Sequence, residues 1–158
     1  MTATKTLLRV ANRAMLAALT LLSVGGEATA RSLTVEPLEV VTAHGVRHFS
    51  VEVADTPASR EHGLMFRTQL AADRGMLFDF KTVQPVDFWM KDTLIPLDIL
   101  FIAADGRIVS IARNATPMSE AHIPSGSPIL EVLEVRGGRA AEIGAEVGDR
   151  VHPGQARR

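Results

Sequence analysis

From Leu38 onward the chain is a succession of short apolar runs, most with a period of two, and each is closed by a turn signal. In residues 46–53, Phe49, Val51 and Val53 share one face while His48, Ser50 and Glu52 share the other. Such alternation, rich in β-branched residues, marks a half-buried strand. Residues 38–42 precede it and end at His44-Gly45, so the two runs predict a hairpin. Residues 75–80 read as a buried strand and 86–91 as an alternating one. Residues 97–102 form a β-rich run, with 107–112 returning antiparallel across the Asp105-Gly106 turn. Residues 129–135 form a further strand, in which Glu131 and Glu134 fall on opposite faces, and 148–151 close the domain. Helical signals are brief. Thr56 can cap, Pro57 suits a first helical position and Gly63 can end the turn, while 139–143 stop at Gly144. No βαβ alternation appears. The expected fold is all-β or mainly β, a compact antiparallel sandwich or barrel with one or two short helices.

The N-terminus is a different kind of segment. Lys5, Arg9 and Arg13 precede a short apolar run at 15–24, and Ala28-Thr29-Ala30 supplies small residues at a cleavage site. Residues 1–30 therefore read as a secretory signal peptide; the apolar run falls short of the roughly 20 residues that span a bilayer. Residues 31–37 are expected to be a flexible leader, 38–151 a single β-rich domain and 152–158 a frayed tail. The expected location is periplasmic or secreted, with no membrane span after cleavage. The whole chain carries 17 basic and 18 acidic residues; residues 1–30 account for three and one of these, leaving 14 against 17, a net of −3. A mildly acidic domain exerts no general attraction on nucleic acid, so none is expected as a partner. Cysteine is absent, which excludes thiol catalysis, thiolate zinc sites and iron–sulfur clusters.

The densest chemistry lies at Phe88-Trp89-Met90-Lys91-Asp92-Thr93 and Pro96-Leu97-Asp98. A large flat aromatic beside a lysine, two aspartates and a threonine is the material of a small-ligand pocket. Trp89 would stack against the ligand, Lys91, Asp92, Thr93 and Asp98 would hydrogen-bond, and Arg67 would make a bidentate contact to an anionic group. The expected partner is a small polar ligand or an envelope glycan. Equally, Trp89 could fill the core beneath the turn. Turn-region aspartates ordinarily accept main-chain hydrogen bonds, and for Asp92 and Asp98 that reading is favoured over an acid–base pair. The alternative function is an envelope hydrolase using Asp92, Asp98 or Glu131. The loop at 114–128, with Pro117, Pro124 and Pro128, is long enough to act as a lid. The five histidines lack metal-ligand spacing, and Gly-x-Ser-x-Gly is absent. No metal or cofactor is expected, and no catalytic residue is assigned.

The ordered blocks at 63–67, 75–80, 88–93, 96–102, 132–134 and 148–151 together resemble the domain-of-unknown-function family numbered 192. The resemblance spans about 38–151. It implies a compact β-rich domain, often in exported bacterial proteins, and no established activity. That family commonly has asparagine where this chain has Asp92. Shorter stretches, Gly63-Leu64-Met65-Phe66 and residues 139–144 with Gly148-Asp149, resemble the carboxylate-binding loop and later signature of PDZ domains. That resemblance implies a protein-interaction role through capture of peptide C-termini.

Overall fold

The computed structural model describes residues 32–153. The expected signal peptide and the last five residues lie outside the described residues. The chain forms β1 (Val35–Thr42), β2 (Gly45–Ala54), α1 (Pro57–His62), β3 (Arg74–Gln84), β4 (Asp87–Phe88), β5 (Leu97–Ile102), β6 (Ile108–Ala115), β7 (Ile123–Pro124), β8 (Ile129–Arg136), α2 (Arg139–Glu142) and β9 (Arg150–Pro153). The fold is mainly β with two short helices, as the strand and turn pattern predicts. Two boundaries differ. β1 begins at Val35, inside the expected leader, because Val35, Glu36 and Pro37 pair with Glu52, Val51 and Ser50. His152 and Pro153 belong to β9, not to a frayed tail, because they pair with Glu39 and Leu38.

Seven strands form one curled sheet in the order β6-β5-β8-β3-β2-β1-β9. Its two edges meet. Arg107, just before β6, bridges to Arg150 of β9, Val151 N–H donates to the Gly106 carbonyl at 2.8 Å, and Ile108 N–H donates to the Asp149 carbonyl at 2.8 Å. These bonds satisfy main-chain groups that would otherwise line an open edge at that end. One pairing departs from the antiparallel expectation: β2 and β3 run parallel, Ser50 opposite Arg74 through Ala54 opposite Phe78. A parallel pair requires a crossover connection. Here residues 55–73 make it, with only the six residues of α1 helical, too short to leave a helical period in the sequence.

The curl separates two cores. The inner one takes side chains from all seven strands, among them Leu38, Phe49, Leu77, Leu100, Ile108, Leu133 and Val151, and is plugged by Ala140 of α2 with Ile143 and Ala145. The outer one coats the central strands and contains Met76, Phe78, Ile99, Phe101 and Val132, covered by Leu64 and Met90. β5 is therefore buried on both faces, which explains its near-continuous apolar sequence.

The cover of the outer core positions everything that follows. β3 pairs with β8 regularly up to Asp79, then bulges before Gln84, with Lys81 left-handed at φ 63°. The bulge re-aims the end of β3. Of the alternating run expected at 86–91, only Asp87 and Phe88 are strand, paired with Pro124 and Ile123 in a separate two-stranded ribbon. Beyond Phe88 the backbone turns, and Met90 N–H donates to the Ser119 carbonyl at 2.8 Å. The long loop is not a free lid. Ser125 N–H donates to the Val86 carbonyl at 2.9 Å and Met118 N–H to the Thr93 carbonyl at 3.0 Å.

Candidate functional site

A cavity of about 250 Å³ opens on the outer face, lined by residues of α1, β3, β4 and β8 and by the chain just after α1 and β4. α1 starts as its sequence dictates: Thr56 and Ser59 form a reciprocal capping box and Pro57 follows the cap. It ends at Gly63, φ 49°. A Cβ there would approach the Phe78 ring to 3.2 Å, so glycine lets the helix end settle on the aromatic floor. Leu64 follows, and Arg60 and Glu61 stand on the same wall. β3 contributes Phe78 and Phe80, and the ribbon strand contributes Asp87 and Phe88, followed by Trp89. Phe88 packs edge-on against Phe78 at 5.1 Å and against Phe101 at 5.9 Å. Arg60 lies 5.2 Å from the Phe80 ring centre and donates to the Asp79 carbonyl at 2.9 Å.

Glu134 completes the lining. It sits mid-strand in β8, opposite Met76 of β3 and Ile99 of β5, and is only 4% exposed. Among the described residues its carboxyl has no hydrogen-bond or ion-pair partner. Desolvation by burial alone pushes its pKa up to about 8. At neutral pH the group is therefore mainly the neutral acid, able both to donate and to accept a hydrogen bond. Buried polar groups are nearly always partnered, so a buried acid at a cavity with no partner among the described residues makes this hollow the candidate site.

The six residues expected to bind ligand do not converge. Trp89 is at the cavity and 44% exposed, so it is not core filler. Lys91 Nζ lies 5.6 Å from its ring centre. Arg67 is elsewhere, in a second cavity of about 420 Å³, with both terminal nitrogens donating to the Glu52 carboxylate at 2.6 Å. That bond holds the guanidinium above its usual pKa, and it leaves Arg67 engaged within the protein instead of on a ligand. Asp98 is wholly buried, and its two oxygens accept from Asn114 N–H and Ala140 N–H, each at 2.7 Å. It anchors the first turn of α2 from inside the curl and cannot reach a ligand. Thr93 is buried and donates to the Lys91 carbonyl at 3.3 Å, a turn contact. Asp92 has φ 53°, and its carbonyl accepts from Phe66 N–H at 2.8 Å. This position demands left-handed backbone, which asparagine and aspartate tolerate better than most residues. The Asp/Asn choice there is accordingly conformational.

The acid set expected for hydrolysis is not assembled either. Asp98 and Glu131 stand towards opposite ends of the β5–β8 ladder, paired with Val135 and Ile102, and Asp98 is closed by main-chain donors. Nor is a PDZ loop formed: residues 63–66 leave a helix and enter turns instead of leading into a strand. Arg60, Phe78 and Phe80 are lining residues that sequence reasoning did not collect; Phe88 opens the block it singled out, and Glu134 was noted there as a strand acid but given no ligand contact. The available signal for Glu134 was an acid amid Val132, Leu133 and Val135 in a strand with apolar residues on both faces.

The family model DUF192, described as "Uncharacterized ACR", matches residues 39–153, and the chain belongs to this family. No curated protein matches it. Among solved structures, a Sinorhizobium meliloti 1021 protein described as a "putative transcription regulator" is 47% identical, with a TM-score of 0.76 over 77% of this chain and 95% of that one. A protein of unknown function from Novosphingobium aromaticivorans DSM 12444 is 41% identical, with a TM-score of 0.76 over 78% of this chain and 89% of that one.

Proposed function

We propose that the outer-face cavity is the binding site of a small polar, glycan-like ligand in the cell envelope. The observation that carries this reading is the unpartnered Glu134 carboxyl in an aromatic-lined hollow. A sugar ring offers an apolar face and a hydroxyl edge. The half-exposed Trp89 ring supplies the matching flat surface. Glu61 and Asp87 supply polar contacts around the cavity, and the buried Glu134 supplies another. The envelope location rests on the character of residues 1–30. The regulator description belongs to the Sinorhizobium protein; this chain, with 17 basic against 18 acidic residues, has no surplus of positive charge to draw nucleic acid.

Trp89 is the chain's one tryptophan, so its fluorescence reports directly on the cavity. Titration with methyl glycosides and envelope-glycan fragments should give a saturable change. Calorimetry on Trp89→Ala should then show affinity lower by several fold, since an aromatic contact is worth about 1 kcal/mol. A flat fluorescence response across the panel, with Trp89→Ala destabilised like a core truncation, would overturn the proposal.

A further inference from the structure

We propose that the ligand presents a protonated primary amine, and that this ammonium pairs with Glu134 inside the cavity. The inference rests on the ligand-binding reading of the same site and names the chemical class it selects. Three acids line the cavity, Glu134 of β8, Glu61 of α1 and Asp87 of β4, against one base, Arg60. That base is already engaged, over the Phe80 ring and on the Asp79 carbonyl. The remaining lining is largely aromatic, and aromatic faces attract cations. A buried carboxyl with no internal cation is thus set among groups that favour positive charge.

The groups facing Glu134 are few. α1 brings Arg60 and Glu61; β4 brings Asp87, whose Oδ2 lies 3.8 Å from His122 Nδ1. β3 and β5 face it with Met76 and Ile99, which are not titratable. Glu52, paired with Met76 in the same row of the sheet, is already closed by Arg67. Without ligand, Glu134 holds its proton. When an ammonium enters, the carboxyl O–H breaks, the proton goes to buffer, and the carboxylate accepts a charge-assisted hydrogen bond from the amine, which stays protonated throughout.

The test uses two matched pairs, cyclohexylamine with cyclohexanol and glucosamine with glucose, followed by Trp89 fluorescence and by calorimetry in buffers of different ionisation enthalpy. Cyclohexylamine, an alkylamine, has a pKa near that of lysine, about 10.4, so it stays charged over the working range; glucosamine, whose electron-withdrawing hydroxyls make its amine a weaker base, is compared with it at pH 6. Cyclohexylamine affinity should rise about tenfold from pH 6 to pH 7 and flatten above the Glu134 pKa of about 8. Close to one proton should be released per amine bound at pH 6 to 7. Glu134→Gln should abolish both effects. If that variant does not fold, proton release by the unaltered protein still decides the matter. Tighter binding of glucosamine than of cyclohexylamine assigns an amino sugar; the reverse assigns a simple alkylamine; either supports the inference. Neutral members that bind as well as their amines, without proton release, would overturn it and leave the ligand-binding reading standing. No response to any of the four would overturn both.

Discussion

Glu134→Gln should change the pH dependence of folding in a calculable way. An ordinary glutamate titrates near 4.5, whereas in the folded protein burial holds this one near 8. Between those values the folded state keeps a proton that the unfolded chain has lost. Stability from this group is therefore complete below about pH 4.5 and falls as pH rises through 8. The slope approaches about 1.4 kcal/mol per pH unit, and the whole span corresponds to about 5 kcal/mol as an upper figure. Other groups titrate as well. Glu142, for example, is held below its usual value by hydrogen bonds from Arg139 and Arg136 and moves stability in the opposite sense at low pH. Subtracting the variant from the wild type cancels these contributions, because glutamine keeps the shape and carries no titrating proton. Denaturant unfolding at pH 5, 6, 7, 8 and 9 measures the difference. The wild type should lose ground to Glu134→Gln steadily from pH 5 to 8, then run parallel to it. Parallel curves throughout would mean that Glu134 reaches water or an internal partner when folded, and the neutral-acid reading would fail.

Three further substitutions separate structural roles from binding roles. Asp98→Ala strands a buried main-chain donor at Ala140 and a part-buried one at Asn114, and should cost about 2 kcal/mol or more in thermal or chemical unfolding. Asp92→Gly should stabilise the fold by about 1 kcal/mol, since glycine adopts the left-handed backbone at φ 53° without a Cβ penalty; a lowered melting temperature would contradict this. Arg67→Ala breaks a bidentate, half-buried contact with Glu52 and should cost on the order of 1 kcal/mol while leaving the Trp89 emission spectrum unchanged.

Much of the fold was legible because its determinants are local. The α1 cap, the Asp105-Gly106 hairpin and the alternation of residues 46–53 each lie within a few residues of one another. The parallel β2–β3 pairing was not, because it is decided by the packing of residues 55–73 over the outer core, and a six-residue helix leaves no periodic trace. Of the six residues expected to contact a ligand, Trp89 alone lines the cavity, beside Phe88 of the same block. Chain proximity proved a poor guide around it: the turn after Phe88 buries Thr93 among main-chain contacts and feeds Asp98 into the inner face, while Glu134 reaches the cavity from a strand far along the sequence. Side chains that alternate along β5 face different cores, so Asp98 and Ile99 belong to different environments although they are adjacent.

One row across the outer wall shows why the cavity differs from mere surface relief. Glu52, Met76, Glu134 and Ile99 lie side by side on β2, β3, β8 and β5. The crossover segment that covers this wall delivers Arg67 to Glu52, with both carboxylate oxygens bonded. The same segment carries Arg60 to the wall of the Glu134 cavity, yet its guanidinium goes to Phe80 and to the Asp79 carbonyl. The connection can therefore bring a cation to this wall, and it does so for the more exposed acid while leaving the more deeply buried one unmatched. An unpaired acid in an apolar wall weakens the fold at neutral pH relative to an apolar side chain of similar size. A cavity opening onto that acid would give the proposed ligand access to it, and a ligand bound only by the folded state would in turn raise the protein's stability.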